Sequence, residues 1–325
     1  MFAYIVRRVL YAIPILIGIN ILTFYLFFVV NSPDDMARMH LGMKHVTEEA
    51  VRKWKASHGY DKPLLLNSAA DGAGQLTDTI FFEKSVRLFA FDFGYSDDGR
   101  DISHDISQRM LPSLAIAIPA LLIGLLVNIT FALMMAFFRG TYIDTAGVIL
   151  CVVLMSISGM FYIIGGQFLL AKLFRLMPIS GFASGIDAFK FIVLPVVIGV
   201  VSGIGSGARW YRTFFLEEAG KDYIRTARAK GLSEMLVLFR HILRNALIPI
   251  VTGVVVILPL LFMGSLLTES FFAIPGLGSY TIDAINNQDF AIVRVMVFLG
   301  SVLYIIGLIL VDITYTIVDP RVRLT

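Results

Sequence analysis

Apolar residues gather along this chain in runs of about twenty or more, and the intervals between the runs hold nearly all of its charge. A polypeptide crossing hydrocarbon must satisfy every backbone N–H and C=O within itself, which a helix of about 20 apolar residues achieves. Six stretches meet that length: 9–30, 113–138, 146–171, 189–208, 247–267 and 292–318. The second is the clearest. No charged residue falls between Arg109 and Arg139, and one at the centre of a span would cost about 2.5–3.5 kcal/mol on insertion scales. The first follows Arg7 and Arg8, exceeds the apolar core of a signal peptide and has no small-residue cleavage site after it, so it reads as a retained helix. The pattern predicts an all-α membrane protein with six transmembrane helices.

Lysine and arginine in short connections mark the inner side of such a protein. Arg7 and Arg8 put the N-terminus inside, and Arg139 is inside as well. The segment after the fourth span carries Arg209, Arg212, Lys221, Arg225, Arg228, Lys230, Arg240 and Arg244, and Arg321 and Arg323 place the C-terminus inside, as an even number of crossings requires. The chain thus divides into an N-terminal transmembrane helix (1–30), an outer loop segment (31–108), a core membrane domain (109–318) with a cytoplasmic loop at 209–246, and a cytoplasmic tail (319–325). Within the outer segment, the acidic Thr47-Glu-Glu49 and the basic Arg52, Lys53 and Lys55 predict a short helix over 46–58, ended by Gly59 and Pro63. Residues 92–99 read as a turn-rich approach to the membrane.

Composition agrees: 57% of the 325 residues are hydrophobic and 16% charged, against roughly 45–50% apolar in a soluble domain. A net charge of +3 gives no reason to expect a nucleic-acid partner. The single cysteine, Cys151, lies in an apolar run and reads as a small buried thiol. No phosphate-binding Gly-x4-Gly-Lys-Ser/Thr loop, His-Glu-x2-His pair or nucleophile elbow occurs, and the spacing of His40, His45, His58 and His104 matches no zinc pattern. Metal and catalytic residues are therefore not expected.

The most informative stretch is 217–249, too polar to cross a membrane and rich in helix formers. Gly231 interrupts it, Ser233 can cap a second short helix, and Leu236, Phe239 and Leu243 recur at helical spacing. The run Tyr223-Ile-Arg-Thr-Ala-Arg-Ala-Lys-Gly231, with His241-Ile-Leu-Arg-Asn-Ala246 and Pro249, resembles the cytoplasmic loop of the dipeptide/oligopeptide permease family of ABC importers. Leu267-Thr-Glu269 with Pro275-Gly-Leu-Gly278 and Asp289-Phe290, Asp312 with Asp319-Pro-Arg-Val-Arg323, and Ala3-Tyr-Ile-Val-Arg-Arg8 with Pro14 are similar to other stretches of that family. The resemblance covers both ends of the chain and most of its second half. Asn31-Ser-Pro-Asp-Asp35 departs from the family's turn after the first helix, and Gly159 stands where a proline is common.

The resemblance implies a type I ABC importer permease fold in a bacterial cytoplasmic (inner) membrane, forming half of a pathway for di- or oligopeptides. It implies a second homologous permease subunit, two ATPase subunits and an extracytoplasmic substrate-binding protein as partners. No cofactor would be bound by this chain, ATP and Mg being held by the ATPases. On this reading Ala227, Arg228, Gly231, Arg240, His241, Arg244 and Asn245 form the ATPase-coupling surface. Pro275, Gly276, Leu277 and Gly278 face the binding protein. Ser156, Ser158 and Gln167, polar groups inside spans, are candidates for lining the path, with hydrogen bonding between helices as the alternative. Gly199, Gly203 and Gly207 share one helix face and are expected to let a neighbour approach. A nickel chelate in place of peptide, a secondary transporter and a membrane-embedded enzyme are the rival readings.

Overall fold

The structure is a computed structural model; it describes residues 2–42, 46–183 and 185–318. The predicted tail, 319–325, lies outside the described residues. Among those described there is no strand, only an isolated bridge between Tyr95 and Asp101. The chain packs as two compact units, one containing Met1–Arg109 and Tyr280–Ile309, the other Met110–Ser279.

The first unit begins with α1 (Phe2–Phe24), prolonged by a π-helical turn at Tyr25–Val30. Ser32 then opens α2 (Pro33–Leu41) with a reciprocal capping box to Asp35, so the departure noted at 31–35 is a helix start. The predicted outer helix forms as α3 (Glu48–His58): the Thr47 side chain accepts from the Ala50 amide, and Gly59 ends it in the left-handed conformation. Two short helices, α4 (Gly74–Thr77) and α5 (Ile80–Lys84), follow. Phe24, Phe28, Met36, Val51, Trp54, Tyr60 and Ile80 form the core of this unit, with Phe290 packed against them.

The remaining helices are α6 (Ile102–Phe137), α7 (Tyr142–Ser156), α8 (Gly159–Gly166), α9 (Ala188–Ala219), α10 (Asp222–Ala229), α11 (Glu234–Leu236), α12 (Arg244–Leu260), α13 (Leu266–Phe271), α14 (Leu277–Asn286) and α15 (Phe290–Val318). Among the described residues, five stretches are long and apolar enough to cross a bilayer by themselves: Val6–Val30, Ile102–Phe137, Ala188–Ala219, Glu234–Phe271 and Phe290–Thr314. The expected third span is broken. α7 and the helix Gly159–Leu173 meet at 88°, and only if the bent pair counts as one span does the total reach six. The chain leaves the helix at Ile157 in extended conformation, and the Tyr162 hydroxyl donates to the Leu154 carbonyl at 2.9 Å, satisfying a group near the end of the broken helix.

The apolar surface is consistent with lipid. Leu22, Leu122 and Leu126 are each about 60% or more exposed, an arrangement costly in water but at home in hydrocarbon.

Close helix approach occurs where small residues permit it, though at only one position of the expected stripe, Gly207. A Cβ at Gly203 would meet nothing within 4 Å, and one at Gly199 only Ala120 at 3.8 Å. Gly207 abuts the Asn128 side chain, and α9 comes closest to another backbone at Gly205, where a Cβ would lie 2.7 Å from the Cys151 carbonyl oxygen. Cys151 is fully buried there, as expected.

Candidate functional site

α9 carries the apolar run of the fourth span onward into Arg209, Arg212, Glu217 and Glu218, and stops at Ala219. Lys221 leads into α10, whose Ile224 and Ala227 are buried against Phe215, Val237, Leu238 and Ile242. Gly231 then turns the chain with φ +79°, a left-handed conformation that a side chain resists, and Ser233 precedes α11. The expected second short helix does not end. From Glu234 the chain runs on through a π-helical turn at Val237–Leu243 into α12, so the bent knuckle joins two long helices directly.

Polar contacts fix this knuckle. Glu218 accepts from Lys221 Nζ at 2.6 Å and from the Tyr223 hydroxyl, to which Asn245 Nδ2 donates at 2.7 Å. Burial, and then the hydrogen bond to the Glu218 carboxylate, push the Tyr223 hydroxyl up to about 12, so it stays a donor at any physiological pH. Across the Gly231 turn, Arg228 holds Glu234 through two bonds of 2.9 and 3.1 Å. A groove of about 330 Å³ lies alongside, lined by Arg139, Phe215, Arg228, Glu234 and Leu238.

The seven residues expected on the coupling surface fall in this one region but not in one role. Arg228, Gly231, Arg240 and Arg244 are exposed, and His241 and Asn245 half-buried. Ala227 is 6% exposed, and its close packing is with this chain's own core rather than available to a partner. Of the residues at helical spacing, Leu236 and Phe239 are exposed along with Met235, whereas Leu243 is half-buried against the core that Val237, Leu238, Ile242 and Ala246 help to form. A basic and apolar surface is left around Gly231.

Ser156 and Ser158 are exposed at the bend between α7 and α8, and the Ser156 hydroxyl donates back to the Val152 carbonyl at 2.8 Å. Gln167 is placed differently. Its Nε2 donates to the carbonyls of Ile179 at 3.1 Å and Phe271 at 3.0 Å, clasping a loop and the end of α13. Of the four loop residues at 275–278, only Pro275 is exposed. Gly276, Leu277 and Gly278 are buried around Glu269, a carboxylate 1% exposed that accepts from the Ser265 and Ser279 amides at 3.1 Å each and from the Ser113 hydroxyl. The two glycines are there because a Cβ at Gly276 would collide with Glu269 Oε2 and one at Gly278 with the Ser265 backbone. Glu269 is thus held by a cage of donors.

One pair was missed altogether. Asp144, near the start of α7, is buried and accepts two bonds of 2.8 Å from Arg212 of α9, and a third from the Gly140 amide at 3.1 Å. An acid beginning an apolar run needs such a partner, and that was the available signal.

Residues 1–117 match the family described as binding-protein-dependent transport system membrane component, N-terminal, and residues 128–324 the family described as binding-protein-dependent transport system inner membrane component. A Brucella abortus (strain 2308) protein that carries the name of a peptide transport system permease is 34% identical over 329 residues, 99% of both chains. The dipeptide transport system permease protein DppB of Bacillus subtilis (strain 168) is 32% identical over 333 residues, 99% of this chain and 98% of that one. DppB of Escherichia coli (strain K12) is 29% identical over 351 residues, 99% of both. The chain belongs to the binding-protein-dependent transport system inner membrane component family, the multi-pass permeases of the inner membrane.

Proposed function

We propose that this chain is one of two permease subunits lining the pathway of an ATP-driven importer of di- or oligopeptides. The observation that carries the reading is the knuckle at 219–234. It is rigidly braced, basic and apolar on its free surface, and continuous with a long apolar helix on either side. That is what a subunit without an engine needs to receive a push from a separate one. Full-length similarity to relatives named for peptide and dipeptide transport supports the substrate class. In this reading the knuckle and both termini are cytoplasmic, two ATPase subunits hold ATP and Mg beneath the membrane, a homologous permease completes the pathway, and an external binding protein delivers the peptide.

The contact with the ATPase centres on Gly231, the Arg228–Glu234 clasp and exposed Met235, Leu236, Phe239 and Arg240. Gly231→Trp tests it. A Cβ at Gly231 meets nothing within 4 Å, so the new ring projects outward with no clash inside this chain. The left-handed backbone adds about 1–2 kcal/mol, which Gly231→Ala alone reports. With the complete transporter in proteoliposomes, Gly231→Trp is expected to insert and assemble but to hydrolyse ATP without taking up peptide, while Gly231→Ala retains most uptake. Uptake by the tryptophan variant at the original rate refutes the reading.

A further inference from the structure

The first unit contains a cavity of about 720 Å³, within the size range of sites for small ligands, that the reading above leaves without a role. Arg294, in the second turn of α15, lines it. This side chain is 4% exposed, its guanidinium lies 5.0 Å above the Phe28 ring, and its Nε and Nη1 have no hydrogen-bond partner among the described residues. A buried guanidinium with two idle donors is a costly arrangement unless an anion meets it. Asp289 does not: its two carboxylate oxygens are committed to the Asp97 and Ile292 amides, each at 3.1 Å.

Lys84 shares the cavity. It lies over the Tyr60 ring at 5.1 Å and forms no ion pair among the described residues. Burial, and then the Arg294 charge, lower its affinity for a proton, as expected of two cations facing one space. The same cavity offers one carboxylate with no hydrogen bond or ion pair among the described residues, that of Asp97. Two cations and one acid that share one polar space without a direct ion pair, although Asp97 lies near enough to feel the Arg294 charge, match a molecule that carries a carboxylate and an ammonium.

We propose that this cavity binds a short peptide, its C-terminal carboxylate held by Arg294 and Lys84 and its amino group by Asp97. The proposal rests on the import function given above and adds to it a peptide site on the permease itself, separate from that of the binding protein.

The test uses the assembled transporter in lipid nanodiscs, without binding protein or nucleotide, and labelled trialanine as probe in equilibrium dialysis. Trialanine is expected to bind, its C-terminal amide and its N-acetyl form each at least about tenfold more weakly. Arg294→Gln should lower affinity by a similar factor or more. Lys84→Gln, at a half-buried position that tolerates change, should lower it severalfold and keeps the test open should the Arg294 variant fail to fold. No binding of trialanine, equal binding of the amide, or displacement by acetate as effective as by peptide overturns the proposal. So does loss of binding-protein docking in Lys84→Gln with no peptide bound by the parent, which would make the cavity a socket for an acidic side chain of that protein. ATP hydrolysis stimulated by binding protein, measured on the same preparation, separates the two readings: if it persists without peptide binding, only the cavity assignment fails.

Discussion

Replacing Glu269 by glutamine tests the donor cage that joins α13 to the start of α14. The change is nearly isosteric, so packing stays the same and only the hydrogen-bond polarity alters. The carboxylate accepts at Oε1 from the Ser265 amide and at Oε2 from the Ser279 amide, with the Ser113 hydroxyl and the Gly278 amide also directed at it. A glutamine keeps one acceptor oxygen, while its NH2 faces a backbone N–H. At least one hydrogen bond to a charged group is lost, worth about 1.5–3 kcal/mol, and a buried donor is stranded at about 1–3 kcal/mol more. Removing a buried charge returns part of this, so the expected net loss is about 2–3 kcal/mol. Trp54 and Trp210 are the two tryptophans of the chain, one in each unit. In a Trp54→Phe background, Trp210 fluorescence through an SDS titration in mixed micelles therefore reports unfolding of the second unit alone. An unfolding free energy within about 0.5 kcal/mol of the parent would refute the reasoning, since losing even one net hydrogen bond should exceed that.

Two further outcomes follow from the same geometry. Gly205→Ala places a methyl 2.7 Å from the Cys151 carbonyl oxygen and 3.0 Å from the Met155 nitrogen, backbone atoms that cannot step aside, so it should lower second-unit stability by about 1–3 kcal/mol in the same titration, whereas Gly203→Ala should be neutral or stabilising. In the first unit, burial and then the neighbouring Asp289 charge push the Asp97 carboxyl up to about 6; the folded state therefore takes up a proton more readily than the unfolded chain, and stability read from Trp54 in a Trp210→Phe background should fall as pH rises from about 4 through 6, a slope that Asp97→Asn removes.

The spans were legible because hydrocarbon leaves the chain no choice: an apolar run of sufficient length and a helix are the same requirement. Local signals were equally readable, as Thr47 and Gly59 at the ends of α3 and Gly231 at the knuckle illustrate. Two kinds of fact were not. After Ser233, the spacing of Leu236, Phe239 and Leu243 follows an ideal helix of 3.6 residues per turn. The π-helical turn at Val237–Leu243 widens that period, so Val237, Leu238 and Ile242 are buried, Leu243 packs beside them, and Leu236 and Phe239 are left exposed. Partners distant in sequence were also hidden, since nothing local tells Asp144 that Arg212 stands 68 residues on, or Leu277 that its amide will meet the Ser113 hydroxyl. The glycine stripe held only at Gly207 for a related reason: spacing names a face, and only the neighbour decides where that face is used.

The bracing of the knuckle bears on how a push could travel. α9 has 32 residues, a rod of about 48 Å at 1.5 Å per residue, and it ends in the Glu218–Tyr223–Asn245 network. On the other side of Gly231 the helix from Glu234 is tied to the same network through Asn245 and to α10 through Arg228. A displacement of α10 therefore cannot be absorbed by a slack loop, because each of its ends is bonded to a different long helix. It must move those helices together or break charged hydrogen bonds at about 1.5–3 kcal/mol each. Tyr223→Phe removes one such bond, that to the Glu218 carboxylate, together with the neutral one from Asn245, and fills the same space. Under the import reading it should leave ATP hydrolysis intact and lower the peptide taken up per ATP. If that ratio is unchanged, the network serves stability alone, and the push must travel through the apolar packing of Ile224 on Val237 and Leu238.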